Sequence, residues 1–379
     1  MTSLLRPARV STLLRCDLQH KGWVKHEQPW RGSDRPSHRR RSAALQSSGL
    51  PRRTRVVPYR SGFQAGRMNH DEYAAYLPAR WRAPIEPEST WWTWRGRRVH
   101  IARAVRPESP VRMLVLHGGG GHAGALWPLA AMAARQGVDV FVPDLPLYGR
   151  TVEPHPRDVR YADWVDLLCD LVRAERRRDP RPLIVFGASM GGLLGYEVAA
   201  RTGEVAHVVA TCLLDPADPA ARRAAARVPL VGAVGPAVLR ALDPVVGRIR
   251  VPLRLVVNMA AMSGDRGLAR LCARDPRGGG VSVPLGFLIS WLRFVHTRPE
   301  RFDAAPVTLV HPAADTWTPP ALSLSFLERL RVPTRVVMLA NCGHYPVEEP
   351  GIGQLAAALR EVCDDVAQSA SNRSTSATN

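Results

Sequence analysis

The 379-residue chain is 45% hydrophobic and 22% charged, a balance typical of a globular protein with one large or two small domains. No apolar run reaches the roughly 18 residues that cross a bilayer, so we expect no transmembrane helix and no integral membrane contact. The formal net charge of +19 raises the question of a nucleic-acid partner, but only two of the 52 basic residues are lysine. Because heavy use of arginine, alanine and proline is typical of a GC-rich genome, we expect no nucleic-acid partner.

The first 67 residues are rich in arginine, serine and proline and lack a sustained apolar period. They hold 15 Lys and Arg against three Asp and Glu, a composition that buries little apolar surface, and we expect them to be disordered. Their arginine-rich, acid-poor start also resembles a transit peptide. The interpretation that we prefer is that the native protein starts at Met68, where ordinary composition begins, so that residues 1–67 are not translated.

The six cysteines are scattered singly, and none belongs to a C-x-x-C pair. This spacing does not favour a zinc site or a redox dithiol, and we expect neither a metal nor an organic cofactor. Ordinary buried thiols are typical of a reducing compartment, which predicts a cytoplasmic protein.

From residue 90 onwards, short apolar strands alternate with helices. A hairpin over 90–105 turns at Arg95 and Gly96. Further strands are predicted at 113–118, 138–144, 183–186, 207–215, 307–312 and 335–344, and helices at 123–137, 161–178, 193–203 and near 320–330. This alternation predicts an α/β fold with a mostly parallel sheet and helices on both faces.

The alternation stops over residues 216–305, where apolar and helical pieces follow one another without clear strands. About 90 residues is too long for a connection inside a compact domain, so we predict an inserted, mostly helical cap. The core then comprises 68–215 and 306–365, and residues 366–379 are predicted to be a disordered tail.

Residues 183–195, LIVFGASMGGLLG, place a serine between a predicted strand and a predicted helix. Gly187 to Gly191 match G-x-S-x-G, the nucleophile elbow, in which a sharp turn leaves Ser189 exposed above the sheet. Bulky side chains two positions away would collide in such a turn, and glycine avoids that clash. The alternative is a serine in an ordinary turn.

A nucleophilic serine needs a histidine base. Among the 12 histidines, His344 follows the last predicted strand directly and is the preferred base. His117 is expected to shape its glycine-rich loop, His122 in the same loop could contact substrate, and His311 adjoins the acid candidate.

The base in turn needs an orienting carboxylate. Asp315 follows the strand VTLVHP and gives the chain order Ser, Asp, His that is typical of hydrolases with this elbow. Asp215 is the rival acid, or a loop and helix-capping residue in DPADP. Asp144, at the end of an earlier strand, is expected to be structural.

Backbone amides must stabilise the oxyanion of the tetrahedral intermediate. One is expected from Met190, directly after the serine, and the other from the run His117 to Gly121, where glycine lets the backbone approach substrate. Gly119 is the preferred second donor and Gly120 is close behind. A flexible or phosphate-binding loop is the alternative, although no G-x-x-x-x-G-K-[ST] motif is present.

The motifs LHGGGG, PDLPLYGRT, FGASMGG, HPAADTWTP and NCGH resemble those of the α/β-hydrolase superfamily, over roughly residues 88–365. The chain looks most like the lipase, lysophospholipase and serine-aminopeptidase-like members, whose cap lies between the sixth and seventh core strands. The resemblance implies eight core strands, Ser189 as nucleophile, His344 as base and Asp315 as its orienter. It also implies Gly119 and Met190 as oxyanion donors.

These residues predict a serine hydrolase that cleaves a small-molecule carboxylic ester through an acyl-enzyme. The apolar segments of the cap favour an apolar acyl group, though they could equally form the cap core. Two alternatives remain. One is another activity on this fold, such as a thioesterase, aminopeptidase, C–C hydrolase or cofactor-free haloperoxidase, and the other is a catalytically inactive binding protein.

Overall fold

The computed structural model describes residues 68–82, 85–225 and 236–376. The predictions for residues 1–67 lie outside these ranges, as does part of the predicted cap. All the described residues belong to one compact unit.

Eight strands form one mixed sheet, in the order β1-β2-β4-β3-β5-β6-β9-β10. β1 pairs antiparallel with β2 and β2 pairs antiparallel with β4, whereas the other neighbours are parallel. The strands are β1 Glu88–Trp94, β2 Arg97–Ala104, β3 Arg112–Leu116, β4 Asp139–Pro143, β5 Leu183–Gly187, β6 His207–Ala210, β9 Val307–Pro312 and β10 Thr334–Leu339. The predicted mostly parallel, eight-stranded sheet is confirmed.

Helices cover the sheet. β3, β4 and β5 are buried at every residue, as expected for strands with a helical layer on each face. The helices of the core are α1 His70–Ala74, α2 Ala123–Arg135, α3 Tyr161–Arg178, α4 Met190–Thr202, α10 Pro320–Leu327 and α11 Gly351–Ser376. No helix in the described ranges is long and apolar enough to cross a membrane.

The chain between β6 and β9 leaves the sheet. It contains α5 Pro219–Ala225, α6 Pro236–Val246, β7 Arg250–Pro252, α7 Leu253–Val256, α8 Arg266–Arg274, β8 Ser282–Pro284 and α9 Leu285–Leu292. β7 and β8 form a separate antiparallel pair, which the sequence pattern did not predict. That this segment, called the covering segment below (residues 216–305), acts as a cap stays a prediction.

The C-terminus differs from the prediction. α11 continues through Ser376, so the disorder predicted for 366–379 is wrong for residues 366–376. Val366 is buried, and the hydroxyls of Ser371 and Thr375 donate to the carbonyls four residues earlier, at 3.1 Å each. A serine- and threonine-rich segment can therefore continue a helix whose first turns are anchored on the core.

Candidate active site

Ser189 lies in a sharp turn between β5 and α4. Its backbone has φ 55° and ψ −129°, outside the regions that L residues prefer. A side chain at Gly187 would overlap the backbone of Gly191, and one at Gly191 would overlap the carbonyl oxygen of Leu116. Only glycine fits at both positions, so the spacing of the motif follows from the packing of the turn.

Ser189, His344 and Asp315 form a hydrogen-bonded chain. The Ser189 Oγ lies 2.8 Å from His344 Nε2, and His344 Nδ1 lies 2.7 Å from Asp315 Oδ2. All three follow parallel strands, at the carboxyl ends of β5, β9 and β10. With Nδ1–H donating to the carboxylate, Nε2 is free to accept the serine proton. The arrangement can therefore activate a serine for nucleophilic attack.

The Asp315 carboxylate accepts further hydrogen bonds within its own loop. Its Oδ1 accepts the backbone N–H groups of Trp317 and Thr318 at 2.8 and 3.0 Å, and its Oδ2 accepts the Thr318 hydroxyl at 2.7 Å. Burial raises the pKa of Asp315, but the bonds from His344 and Thr318 outweigh burial and lower it to about 2. The carboxylate is therefore charged across the neutral range.

The rival acid, Asp215, is not bonded to His344. Its carboxylate accepts the Ala217 backbone N–H at 2.9 Å and lies 4.0 Å from His296 Nδ1. Burial raises the pKa of Asp215 overall, whereas hydrogen bonds lower the pKa of Asp315 overall. Asp215 thus fits the alternative interpretation, a loop residue.

Asp144 belongs to a second hydrogen-bonded chain that includes a serine. Its carboxylate accepts the backbone N–H groups of Ala123 and Arg150 at 2.6 and 2.8 Å and lies 2.7 Å from His100 Nδ1. The other ring nitrogen of His100 lies 3.0 Å from the hydroxyl of Ser89. Asp144 fixes the loop after β4, in keeping with the structural role predicted for it.

The histidines of the glycine-rich loop hold that loop in place. The backbone N–H of Leu145 donates to His117 Nε2 at 3.0 Å, so Nδ1–H donates to the Gly118 carbonyl at 2.8 Å. Burial lowers the pKa of His117 to about 4, which keeps the ring neutral. His117 therefore holds the backbone of its loop, as predicted.

His311 lies on β9, outside the glycine-rich loop. Its Nδ1 lies 3.0 Å from the carbonyl of Pro312, so it too contacts backbone.

The glycine run lies against Ser189. The Gly121 N–H donates to the Gly118 carbonyl at 3.1 Å and closes a tight turn, in which Gly120 has φ +81°. A Cβ at Gly118 would come within 3.1 Å of Ser189 Cβ and 2.9 Å of the Met190 nitrogen. The structure thus brings the glycine loop and the amide of Met190 together beside Ser189.

Ser189 lines two cavities. The first is lined by Tyr73, His117, Gly118, Gly119, Gly120, Gly121, Ala125, Leu126, Leu129, Ala188, Ser189, Met262, Cys272, His344, Tyr345 and Pro346. The second is lined by Gly119, Tyr148, Ser189, Met190, Leu214, Ala225, Leu253, Val257, Phe287, Leu288, Trp291, Trp317 and Thr318. Among these lining residues there is no Asp, Glu, Lys or Arg, so both cavities suit neutral, apolar groups.

Two threonines of the site were not predicted from the sequence. The Ser189 backbone N–H donates to Oγ1 of Thr211, the residue directly after β6, at 2.8 Å. Thr318 bonds Asp315 and also lies 3.3 Å from His344 Nδ1. The D-x-x-T spacing of Asp315 and Thr318 was a readable signal for a side-chain-capped turn, whereas Thr211 has no local signal.

Asp275, in the covering segment, is also absent from the predicted site. Its carboxylate is buried and accepts bonds from His122 Nε2, the Tyr73 hydroxyl and the Asn69 amide at 2.7–2.8 Å. His122 Nδ1 accepts the Gly124 N–H at 3.1 Å, so its Nε2 carries the proton that Asp275 receives. His122 is 2% exposed and lines neither cavity, so the structure gives it an anchoring contact instead of the suggested substrate contact.

The hydrogen bond between Asp275 and His122 ties the covering segment to the glycine loop. Directly after Asp275, a Cβ at Gly278 would come within 2.6 Å of the Gly120 carbonyl oxygen. The carbonyl of Arg277 accepts the N–H of Gly149, in the loop after β4, at 2.9 Å. The glycines at these contacts let the two backbones touch directly.

We expect Asp275→Asn to lower the free energy of unfolding by about 2 kcal/mol at pH 7, because it removes charge-assisted hydrogen bonds. Burial raises the pKa of Asp275, but the bonds from His122, Arg277 and Tyr73 lower it overall. The stabilisation is therefore present above the unfolded pKa, near 3.9, and is lost as the pH falls below it. Urea denaturation of both proteins at pH 7 and pH 3.5 should show the difference shrinking at the lower pH.

Asp364→Asn is the matched control, since Asp364 is exposed on α11. It should change the unfolding free energy by less than about 0.5 kcal/mol at either pH. A difference between wild type and Asp275→Asn that grows on acidification would contradict the predicted sign.

One group of the described residues could hold a metal ion. Ligand atoms of His70, Asp71 and Glu86 lie within 4.8 Å of one another. None of the three lines either cavity beside Ser189. The hydrogen-bonded chain at Ser189 uses only side chains of the protein.

The model of the alpha/beta hydrolase family matches residues 113–358. A soluble variant of monoglyceride lipase from Saccharomyces cerevisiae, solved with a substrate analog, has a TM-score of 0.60 and 15% identity, over 77% of this chain and 97% of its own. Monoacylglycerol lipase from Paleococcus ferrophilus has a TM-score of 0.55 and 19% identity, over 71% and 98%. At these identities the likeness shows the fold. No curated protein sequence matches this chain significantly.

Proposed function

Because this chain belongs to the alpha/beta hydrolase family, we propose that it is a serine hydrolase that cleaves carboxylic esters of apolar acyl groups through an acyl-enzyme. The observation that carries the proposal is the chain of hydrogen bonds from Ser189 through His344 to Asp315. The elbow, the adjacent glycine loop and the two apolar cavities that Ser189 lines support it.

In the proposed mechanism, His344 Nε2 takes the hydroxyl proton of Ser189 as Oγ attacks the ester carbonyl. Asp315 holds the imidazole by Nδ1 and stabilises the imidazolium. The amides of Met190 and Gly119 donate to the oxyanion. The alcohol leaves with the proton from His344. A water molecule then gives a proton to His344 Nε2 as it attacks the acyl-enzyme, and the carboxylic acid leaves as Ser189 Oγ takes that proton.

The lining of the cavities supports an uncharged substrate. A carboxylate or ammonium group placed beside Ser189 would lose its hydration without gaining a charged partner among the described lining residues. The same absence speaks against an aminopeptidase, whose substrate carries a free ammonium group. Groups of carbon and hydrogen on both sides of the scissile ester fit the lining best.

We expect p-nitrophenyl butyrate to be hydrolysed with a kcat/KM about 100-fold higher than mono-p-nitrophenyl succinate. The two esters have acyl groups of similar length, but succinate adds a carboxylate that must be desolvated in the site. Steady-state kinetics at pH 7.5 measures the ratio, and a fluorophosphonate probe with peptide mapping identifies the reactive residue.

Equal turnover of the two esters would contradict the apolar substrate class. Absence of both turnover and labelling in a folded sample would contradict the serine hydrolase and favour the inactive binding protein. A matched thioester, S-(4-nitrophenyl) thiobutyrate, serves as the comparison for thioesterase activity.

A further inference from the structure

Tyr148 lines the second cavity, together with Ser189, Gly119 and Met190. The side chain is 2% exposed, and none of the described residues accepts a hydrogen bond from its hydroxyl. A buried donor without an acceptor is disfavoured in a folded protein. Its position in a substrate cavity suggests that the acceptor is supplied by the ligand.

The ring of Tyr148 is held rigidly in this position. It packs edge-on against His117 and Trp164, each with ring centroids 5.7 Å away. The Trp164 indole N–H donates to the Pro146 carbonyl at 3.1 Å and fixes the loop before the tyrosine. Leu147 has φ +84°, a left-handed conformation that is costly for leucine, so the fold maintains strain at the residue that sets the direction of Tyr148.

The hydroxyl lies at the glycine loop and is a hydrogen-bond donor. Burial raises the pKa of Tyr148, and the neighbouring backbone N–H of Gly120 offsets only part of that rise, so the phenol stays protonated over the working pH range. Two other polar side chains that line the cavity already donate to the protein. The Thr318 hydroxyl donates to Asp315, and the Trp317 indole N–H donates to the Ala224 carbonyl at 3.1 Å.

We propose that the Tyr148 hydroxyl donates a hydrogen bond to the carbonyl oxygen of the ester as that oxygen becomes the oxyanion, beside the amides of Gly119 and Met190. This inference rests on the proposed function. A donor beside an apolar cavity can bind the carbonyl oxygen that every ester substrate brings to the elbow. A preorganised donor outside water is most effective where charge develops.

The test is Tyr148→Phe in the full chain. We expect kcat for p-nitrophenyl acetate, butyrate and octanoate to fall by the same factor, about 10- to 100-fold, with KM changed less than about threefold. The Ki of a trifluoromethyl ketone, which forms an oxyanion on Ser189, should rise by that factor. The Ki of butylbenzene, a neutral ligand without a carbonyl oxygen, should stay the same.

Tyr196→Phe is the matched control. The Tyr196 hydroxyl is buried but donates to the Thr297 carbonyl at 3.0 Å, and Tyr196 lines neither cavity. This variant should keep kcat and lose thermal stability. Tyr148→Phe should lose kcat and keep or raise its melting temperature, because it removes a hydroxyl without an acceptor in the protein.

Unchanged kcat in Tyr148→Phe would overturn the inference while leaving the proposed function intact. So would a loss confined to one ester, which would show recognition of the substituent, or a lower melting temperature than that of Tyr196→Phe. If wild type neither turns over esters nor is labelled at Ser189, the proposed function fails and this inference fails with it.

Discussion

We expect Ser189→Ala to lower kcat for p-nitrophenyl butyrate by at least about 10⁴-fold, with labelling by a fluorophosphonate abolished. The variant keeps the elbow and the glycine loop but removes the hydroxyl that lies 2.8 Å from His344 Nε2. The activity that remains measures what the oxyanion donors and the cavities achieve without a nucleophile. Stopped assays over several hours, with the variant purified in parallel from separate columns, measure the residual rate.

The chain itself offers a matched control in Ser89. Its hydroxyl also lies 3.0 Å from a histidine Nε2, and that histidine, His100, also bonds an aspartate through Nδ1. Ser89, however, is exposed on β1, and the Arg150 guanidinium donates to its Oγ at 2.9 Å. Ser89→Ala should retain kcat within about twofold. Probe attached to Ser89, or a large loss in Ser89→Ala, would show that the wrong Ser-His-Asp set was assigned.

Asp315→Asn should lower kcat by about 10⁴-fold while leaving substrate binding nearly unchanged. An amide at this position can present its NH₂ group to His344 Nδ1, which then favours the tautomer with the proton on Nε2. In that tautomer the imidazole cannot accept the proton of Ser189. Single-turnover kinetics and the rate of fluorophosphonate labelling both report this step.

Asp215→Asn is the control that separates the two candidate acids. Asp215 lies in a loop after β6 and bonds the Ala217 N–H, so its amide variant should retain kcat within a few fold. Asp315→Asn should unfold at a lower urea concentration than wild type, because it removes charge-assisted hydrogen bonds, so kcat is compared under conditions in which urea denaturation shows each variant to be folded. A greater loss in Asp215→Asn than in Asp315→Asn would overturn the assignment of the acid.

The sequence predicted those parts of the site that have a local signal. Ser189, Asp315 and His344 each follow an apolar strand, and parallel strands bring their carboxyl ends to one edge of the sheet. Glycines at 187 and 191 mark the sharp turn directly, because the turn cannot be built with larger residues. The three side chains therefore meet as the strand pattern implied, although no local pattern could give their distances.

The parts that were not predicted depend on contacts between distant segments. Asp275 and His122 are 153 positions apart, and nothing in either local sequence indicates that they pair. The hydroxyl of Tyr148 becomes notable only when the surrounding side chains are known to be satisfied. The C-terminal helix was missed for a related reason, since packing of its first turns on the core overrides the low helix propensity of its serines and threonines.

The positive φ of Ser189 lowers the stability of the fold at the residue that the proposed activity requires. Its φ of 55° costs a residue with a Cβ roughly 1 to 2 kcal/mol relative to glycine, which adopts such angles freely. Selection for resistance to heat or protease alone would thus favour replacement of Ser189, the proposed nucleophile, by glycine. Directed evolution of a more robust enzyme from this scaffold needs a catalytic screen in every round, or it will enrich folded proteins that hydrolyse nothing.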